Sequence, residues 1–203
     1  MVNLSIIYYS ATGNVHAMAE TAEREAGDWG ADVRLRRAEE LAPDAAIDSN
    51  EAWRANVEAT KHIPTASLDD LEWADAILFG TPTRYGLPTA QLKQFIDTTG
   101  PLWQAGKLIN KVVGAFTSSQ TSHGGQESTI IALNNTFYHW GCIIVPLGYT
   151  DPMMFEAELG NPYGASHAGV NGPVGEKTRI EVALQVKRLL GVTDAYKKGA
   201  AQA

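Results

Sequence analysis

Apolar runs that alternate with helix-period stretches constrain this chain most. Residues 4–9, "LSIIYY", read as a first strand. Val15, Met18, Ala19, Ala22 and Ala26 then recur at helical spacing, and Gly27 is placed to end that helix. "DVRLR" alternates, with Val33 and Leu35 on one face, as a half-exposed strand does. "DAILFG" (75–80), "KVVGAF" (111–116) and "CIIV" (142–145) are nearly continuous apolar runs, which suit strands buried on both faces. Between them lie helical patterns. Leu92, Phe95 and Ile96 form one stripe, residues 126–139 a second helix, and Ile180, Ala183, Leu184, Val186 and Leu190 the face of a last one.

Strand–helix alternation implies an α/β fold with a doubly wound parallel sheet covered by helices on both faces. Five strands fit the order 2-1-3-4-5, and the alternating "DVRLR" fits its edge. The chain reads as one domain over 1–203 with insertions at about 38–74 and 146–175. The first insertion is polar and alanine-rich, with room for short helices, and Ser67 and Asp70 have capping-box spacing. The second is rich in Gly, Pro and Asn.

In this architecture ligands bind beyond the carboxyl ends of the strands. Three loops there are rich in hydroxyls or glycine: "SATGNV" after strand 1, "TPTRYGLP" after strand 3 and "TSSQTSHGGQE" after strand 4. The strand order makes them neighbours. "SATGNV" lacks the lysine of a nucleotide P-loop and two of the three glycines of a dinucleotide fingerprint. What remains is a helix N-terminus with Ser10, Thr12 and Gly13, which can hold a terminal monophosphate by amides, hydroxyls and dipole. The bland alternative is a helix cap without a ligand. Tyr85 can stack on a flat ring, Arg84 can pair with its polar edge or with another subunit, and the Gly124–Gly125 pair exposes amides; the plain alternatives are a surface turn with a solvated arginine and a mobile Gly/Ser turn. Together the loops suggest a planar phosphorylated cofactor.

Composition narrows the rest. The net charge of −7, without a basic cluster, argues against a nucleic-acid partner. A single cysteine, Cys142, cannot form an internal disulfide and favours a reducing compartment. No run reaches the roughly 20 apolar residues of a membrane span, and no signal peptide is evident. A cytoplasmic protein is the expectation. The histidines form no cluster with metal-ligand spacing, so no metal is expected.

The stretches "YYSATGNV", "FGTPTRYG", "AQLKQFIDTTGPLW", "GKLINKVVGAFTSS", "HGGQESTI", "HWGCIIVPLGY" and "GNPYGAS" resemble flavodoxin-like proteins, specifically the WrbA-type NAD(P)H:quinone oxidoreductases. The resemblance covers most of residues 1–167. It implies FMN as cofactor, NADH or NADPH as reductant, quinones as acceptors, and a homotetramer. By motif, Ser10, Ala11, Thr12, Gly13, Asn14 and Val15 would form the phosphate loop. Pro82, Thr83, Arg84 and Tyr85 would hold the flavin ring. Ser118, Ser119, Gln120, Thr121, Ser122, His123 and Gly124 fall in the third flavin loop. His139 matches a histidine near the flavin, contributed by a neighbouring subunit. Trp103 matches the aromatic at the substrate site, and Thr12 a nicotinamide contact. The second loop continues "GLP" where the family usually has "GN" and methionine, and Trp140 stands where a second histidine often occurs.

The implied reaction is two-electron quinone reduction by a ping-pong sequence, with His139 donating a proton or hydrogen bond and Trp103 walling the flat substrate. Each also has a plain structural alternative: a polar contact at a helix end for His139, and interface packing for Trp103. The rival function is a flavodoxin-type electron carrier without quinone reductase activity. An azoreductase on the same fold is not separable by sequence. A phosphorylated receiver domain is discounted, because strands 1 and 3 end in "YYSAT" and "FGTPT" without an aspartate.

Overall fold

In the computed structural model, which describes residues 1–156 and 159–201, the chain runs β1 (Asn3–Tyr8), α1 (Asn14–Trp29), β2 (Asp32–Arg37), α2 (Asp44–Asp48), α3 (Glu51–Ala59), α4 (Leu68–Trp73), β3 (Ala76–Pro82), α5 (Ala90–Asp97), α6 (Gly100–Gln104), β4 (Val112–Ser119), α7 (Gln126–Trp140), β5 (Ile143–Ile144), β6 (Ser166–Ala168) and α8 (Glu176–Ala200). Residues 157, 158, 202 and 203 of the expected domain lie outside the described residues. The sheet order is β2-β1-β3-β4-β5, with parallel neighbours throughout. This is the flavodoxin-like order the sequence predicts. No helix among the described residues is long and apolar enough to cross a membrane.

Alternation along the strands divides the core into two layers. Leu4, Ile6 and Tyr8 of β1 face Met18 and Ala22 of α1 and Val186 and Leu189 of α8. Ile7 points the other way, with Ile77, Phe79 and Val113, against Leu92 and Ile96 of α5 and Leu133 and Phe137 of α7. β3 and β4 are buried along almost their whole length, whereas only Leu35 of β2 is fully buried, as befits an edge. Trp140 packs against Phe79 and Phe137, with ring centroids 6.1 and 6.0 Å away, so it serves the core.

Three local expectations need correction. α1 does not stop at Gly27. It runs to Trp29 and ends on Gly30 at φ 94°, whose amide reaches the Gly27 carbonyl while that of Ala31 reaches Ala26. Strand five is not 142–145 but only Ile143–Ile144, paired with Val112 and Val113. The second insertion then leaves the edge and returns as β6, which pairs Thr117–Ser119 of β4.

The third correction concerns α8. Its buried face is not the stripe through Ile180, Ala183 and Leu184, which are only half-buried. It is Thr178, Glu181, Val182, Gln185, Val186, Leu189, Leu190 and Thr193. Two of the polar members, Glu181 and Gln185, satisfy backbone that the broken fifth strand leaves unpaired, while Thr178 Oγ1 lies 3.2 Å from His167 Nδ1. Gln185 accepts from the Ala165 amide at 3.0 Å and donates to the Ala115 carbonyl at 2.8 Å, bridging the gap between β4 and the returning chain. Glu181 Oε2 accepts from the Ser166 amide at 3.0 Å. Gly164 has to be glycine here, because a Cβ would stand 2.0 Å from the Ala115 carbonyl oxygen.

The first insertion holds α2, α3 and α4. The expected Ser67–Asp70 capping box is present, and Asp70 also takes Arg36 Nε at 2.9 Å. Glu40 is its hub. Tyr9 Oη and Trp53 Nε1 donate to Oε2 at 2.8 and 2.9 Å, and Gln91 Nε2 and the amides of Leu41 and Ala42 reach Oε1 at 2.9, 3.0 and 3.0 Å. Burial pushes the Glu40 carboxyl up, but these donors outweigh it and hold the group below the usual range.

Candidate functional site

The chain turns sharply after β1. Ser10 Oγ accepts the Gly13 amide at 3.1 Å, and Gly13 sits at φ 100°. That left-handed conformation favours glycine and lets α1 begin abruptly at Asn14. No side chain caps α1. Its first-turn amides therefore keep their hydrogen-bonding capacity for an anion, with the helix dipole behind them. Thr12 is exposed beside them.

After β3, Arg84 and Leu87 exchange backbone hydrogen bonds at 2.8 and 3.1 Å across a two-residue turn. The central residues, Tyr85 and Gly86, have φ 55° and φ 80°. Such turns prefer Asn-Gly, so a tyrosine there is strained. Its side chain is also fully exposed, at 103%. A strained, fully exposed aromatic points to a contact with something else.

After β4, Ser119 Oγ donates to the Thr121 carbonyl at 2.6 Å, and Gln126 Nε2 reaches the Thr121 and Ser122 carbonyls at 3.3 Å. This loop is tied to the second. The Thr83 amide donates to the Ser118 carbonyl at 2.7 Å, and Thr129 Oγ1 lies 2.7 Å from Thr83 Oγ1.

The three loops enclose a cleft of about 450 Å³, lined by Thr12, Asn14, Pro82, Thr83, Arg84, Tyr85, Ser118, Ser119, Gln120, Thr121 and Gly124. That volume falls within the roughly 300–1,000 Å³ of small-molecule sites. The returning second insertion does not line the cleft but packs beside two residues that do, Gln120 and Asn14, a contact the sequence does not announce. The Val170 amide donates to the Gln120 carbonyl at 2.8 Å, and a Cβ on Gly169 would approach Gln120 Oε1 to 3.3 Å and Asn14 Nδ2 to 3.6 Å.

The donor set fits a flavin mononucleotide. An uncapped helix start with Thr12 in the cleft suits its phosphate, and a fully exposed tyrosine at the rim suits its ring. Ser10 does not line the cleft: its hydroxyl accepts the Gly13 amide and it borders a separate small cavity with Tyr9, Glu40 and Asn56. Other predicted residues stand elsewhere. Val15 is buried in the core, leaving only its amide to the loop, and Ala11 packs against the opposite core layer. Ser122 and His123 are exposed on the outer turn of the third loop and do not line the cleft. Trp103 and His139 come together in a separate depression of about 240 Å³, with Ile96, Asp97, Thr99, Gly100 and Trp140. Asn56 and Glu40 support the first loop from the insertion, and no local motif announces either.

Residues 5–150 match the family described as NADPH-dependent FMN reductase. The chain belongs to this family. Within its reach, the chain is 47% identical over 192 residues to a Deinococcus radiodurans protein named NAD(P)H dehydrogenase (quinone), covering 95% of this chain and 96% of that one. A Geobacter sulfurreducens protein of the same name is 42% identical over 94% of each chain. Among solved structures, a flavodoxin, WrbA-like protein from Agrobacterium tumefaciens superposes with a TM-score of 0.67 at 25% identity, covering 96% of this chain and 99% of that one. An archaeal flavodoxin, at TM-score 0.59 and 18% identity, shares the fold.

Proposed function

We propose that the chain is an FMN-dependent NAD(P)H:quinone oxidoreductase. One observation carries the reading: an uncapped helix start and a strained, fully exposed tyrosine meet across a single cleft. Relatives named NAD(P)H dehydrogenase (quinone), matched over nearly their full length, support the reductant and acceptor.

When bound, FMN supplies the two-electron redox chemistry. The chain supplies position. The amides at Asn14 and Val15 with the Ser10 and Thr12 hydroxyls hold the phosphate and anchor the cofactor away from the reacting centre. Thr83, Arg84 and Tyr85, with Ser118, Ser119, Gln120 and Thr121, would hold the ring. Thr12 contacts the nicotinamide substrate at the exposed rim. Donor and acceptor sharing one site would give ping-pong kinetics.

Trp103 and His139 lie outside the cleft of their own protomer, so their role requires a neighbouring copy. In a homotetramer, His139 of one protomer hydrogen-bonds the quinone oxygen over another protomer's cleft, and Trp103 walls the flat ring. A cytoplasmic location accords with the lone thiol.

Fluorescence-quenching titration with FMN, followed by NADH oxidation assays with benzoquinone, tests the reading. Saturable binding with quinone-dependent turnover is expected. FMN binding without any NADH or NADPH oxidation would instead mark an electron carrier.

A further inference from the structure

The first insertion reaches the phosphate loop through one side chain. Asn56 is the buried residue of α3, only 9% exposed. Its Nδ2 donates to the Ser10 carbonyl at 2.8 Å, across 46 residues of sequence. Its Oδ1 stands 3.6 Å from where a Cβ on Gly13 would lie. One amide thus borders both ends of the Ser10–Gly13 turn. The Ser10 hydroxyl closes that turn from inside, and Asn56 fixes it from outside.

The helix carrying Asn56 is itself fixed to the same place. Trp53, three residues earlier, and Tyr9, which precedes Ser10, donate to the same oxygen of Glu40. The Thr60 amide and hydroxyl both reach the Asn56 carbonyl, at 3.0 and 2.8 Å. The result is a closed frame of Tyr9, Glu40, Trp53, Asn56 and Ser10.

We propose that Asn56 is a positioning residue that gives the site its preference for a phosphorylated flavin over an unphosphorylated one. The inference rests on the FMN reading above. The loop has no lysine or arginine, so its hold on a phosphate depends on how well its amides are aimed before binding. Without the Asn56 donor the Ser10 peptide is free to turn its carbonyl toward the anion. The ring contacts at Thr83, Tyr85 and Ser118 form no part of this frame, so they are untouched.

The test compares Kd values for FMN and for riboflavin in the unsubstituted chain, its Asn56→Ala variant and its Trp53→Phe variant. Trp53→Phe keeps an aromatic ring but removes the Glu40 donor, and it protects the test should Asn56→Ala fail to fold. Loss of one hydrogen bond to the loop predicts FMN binding about tenfold weaker in Asn56→Ala. Riboflavin binding should stay within about twofold, because one amide's reach does not extend to the ring. Trp53→Phe should move the ratio in the same direction by less. Equal weakening of both flavins, or no change in the ratio in either variant, overturns the inference and leaves the FMN reading intact. Failure of the unsubstituted chain to bind FMN overturns both.

Discussion

The Trp103 indole N–H donates to the backbone carbonyl of His139 at 3.0 Å. That bond ties α6 to the last turn of α7 and leaves the indole 56% exposed beside the imidazole. Trp103→Ala removes the bond and, in the proposed assembly, the wall beside the substrate. Its quinone kcat/KM should drop about tenfold, the effect of one lost ordering contact in the transition state. FMN affinity should not move, because in the proposed assembly Trp103 meets the substrate and forms no part of the three loops that hold the cofactor. Steady-state kinetics beside flavin titration checks this. Unchanged kcat/KM would reduce Trp103 to packing.

Gly13→Ala tests the phosphate turn. A Cβ there clears its nearest neighbour by 3.6 Å, so the penalty is conformational rather than steric. Holding alanine at positive φ costs about 1–2 kcal/mol, which predicts roughly fivefold to thirtyfold weaker FMN binding if the turn relaxes in the free chain. Fluorescence titration reads it directly.

Tyr85→Asn should separate stability from binding. Asparagine accepts the left-handed turn position that strains tyrosine, so the flavin-free chain should gain about 1 kcal/mol. FMN should bind several-fold more weakly, since an aromatic stacking contact of about 1 kcal/mol is lost. Urea unfolding and flavin titration must therefore move in opposite directions. A variant equal to the parent in binding would remove Tyr85 from the ring site.

Glu181 gives the fold a pH dependence. Its carboxyl is fully buried, Oε1 has no hydrogen-bond partner among the described residues, and burial pushes its pKa up to about 7 against the pull of the Ser166, Gly160 and Asn161 amides. The unfolded value is about 4.3. Between these values the native state holds a proton the unfolded state has released. Stability should therefore fall as pH rises from about 4.3 to about 7 and level off above, with a slope approaching 1.4 kcal/mol per pH unit from this group. Glu181→Gln keeps an acceptor for the Ser166 amide and should flatten that slope. Urea unfolding at several pH values measures it.

What the sequence disclosed follows from what each part of the chain has to satisfy. β3 and β4 are buried on both faces, so they are written as apolar runs, and the loops after them stand out by contrast. α8 misled because its buried face serves irregular backbone. Thr178, Glu181 and Gln185 look solvent-facing in a pattern of apolar spacing, yet they hold the returning second insertion. β5 was overestimated because four apolar residues do not reveal where an insertion will break the ladder. Asn56 and Glu40 were illegible because their partners lie far along the chain and a lone polar residue in a polar connection carries no period. Trp103 and His139 entered only through the family resemblance, and their nearness to each other emerged from the fold.

Anaerobic stopped-flow on the FMN-loaded chain tests the central claim most directly. Mixing with NADH or NADPH should bleach the flavin absorbance in one two-electron phase, and benzoquinone mixed in afterwards should restore it within the turnover time. A flavin that neither nicotinamide reduces, or that stays reduced in the presence of quinone, would contradict the account.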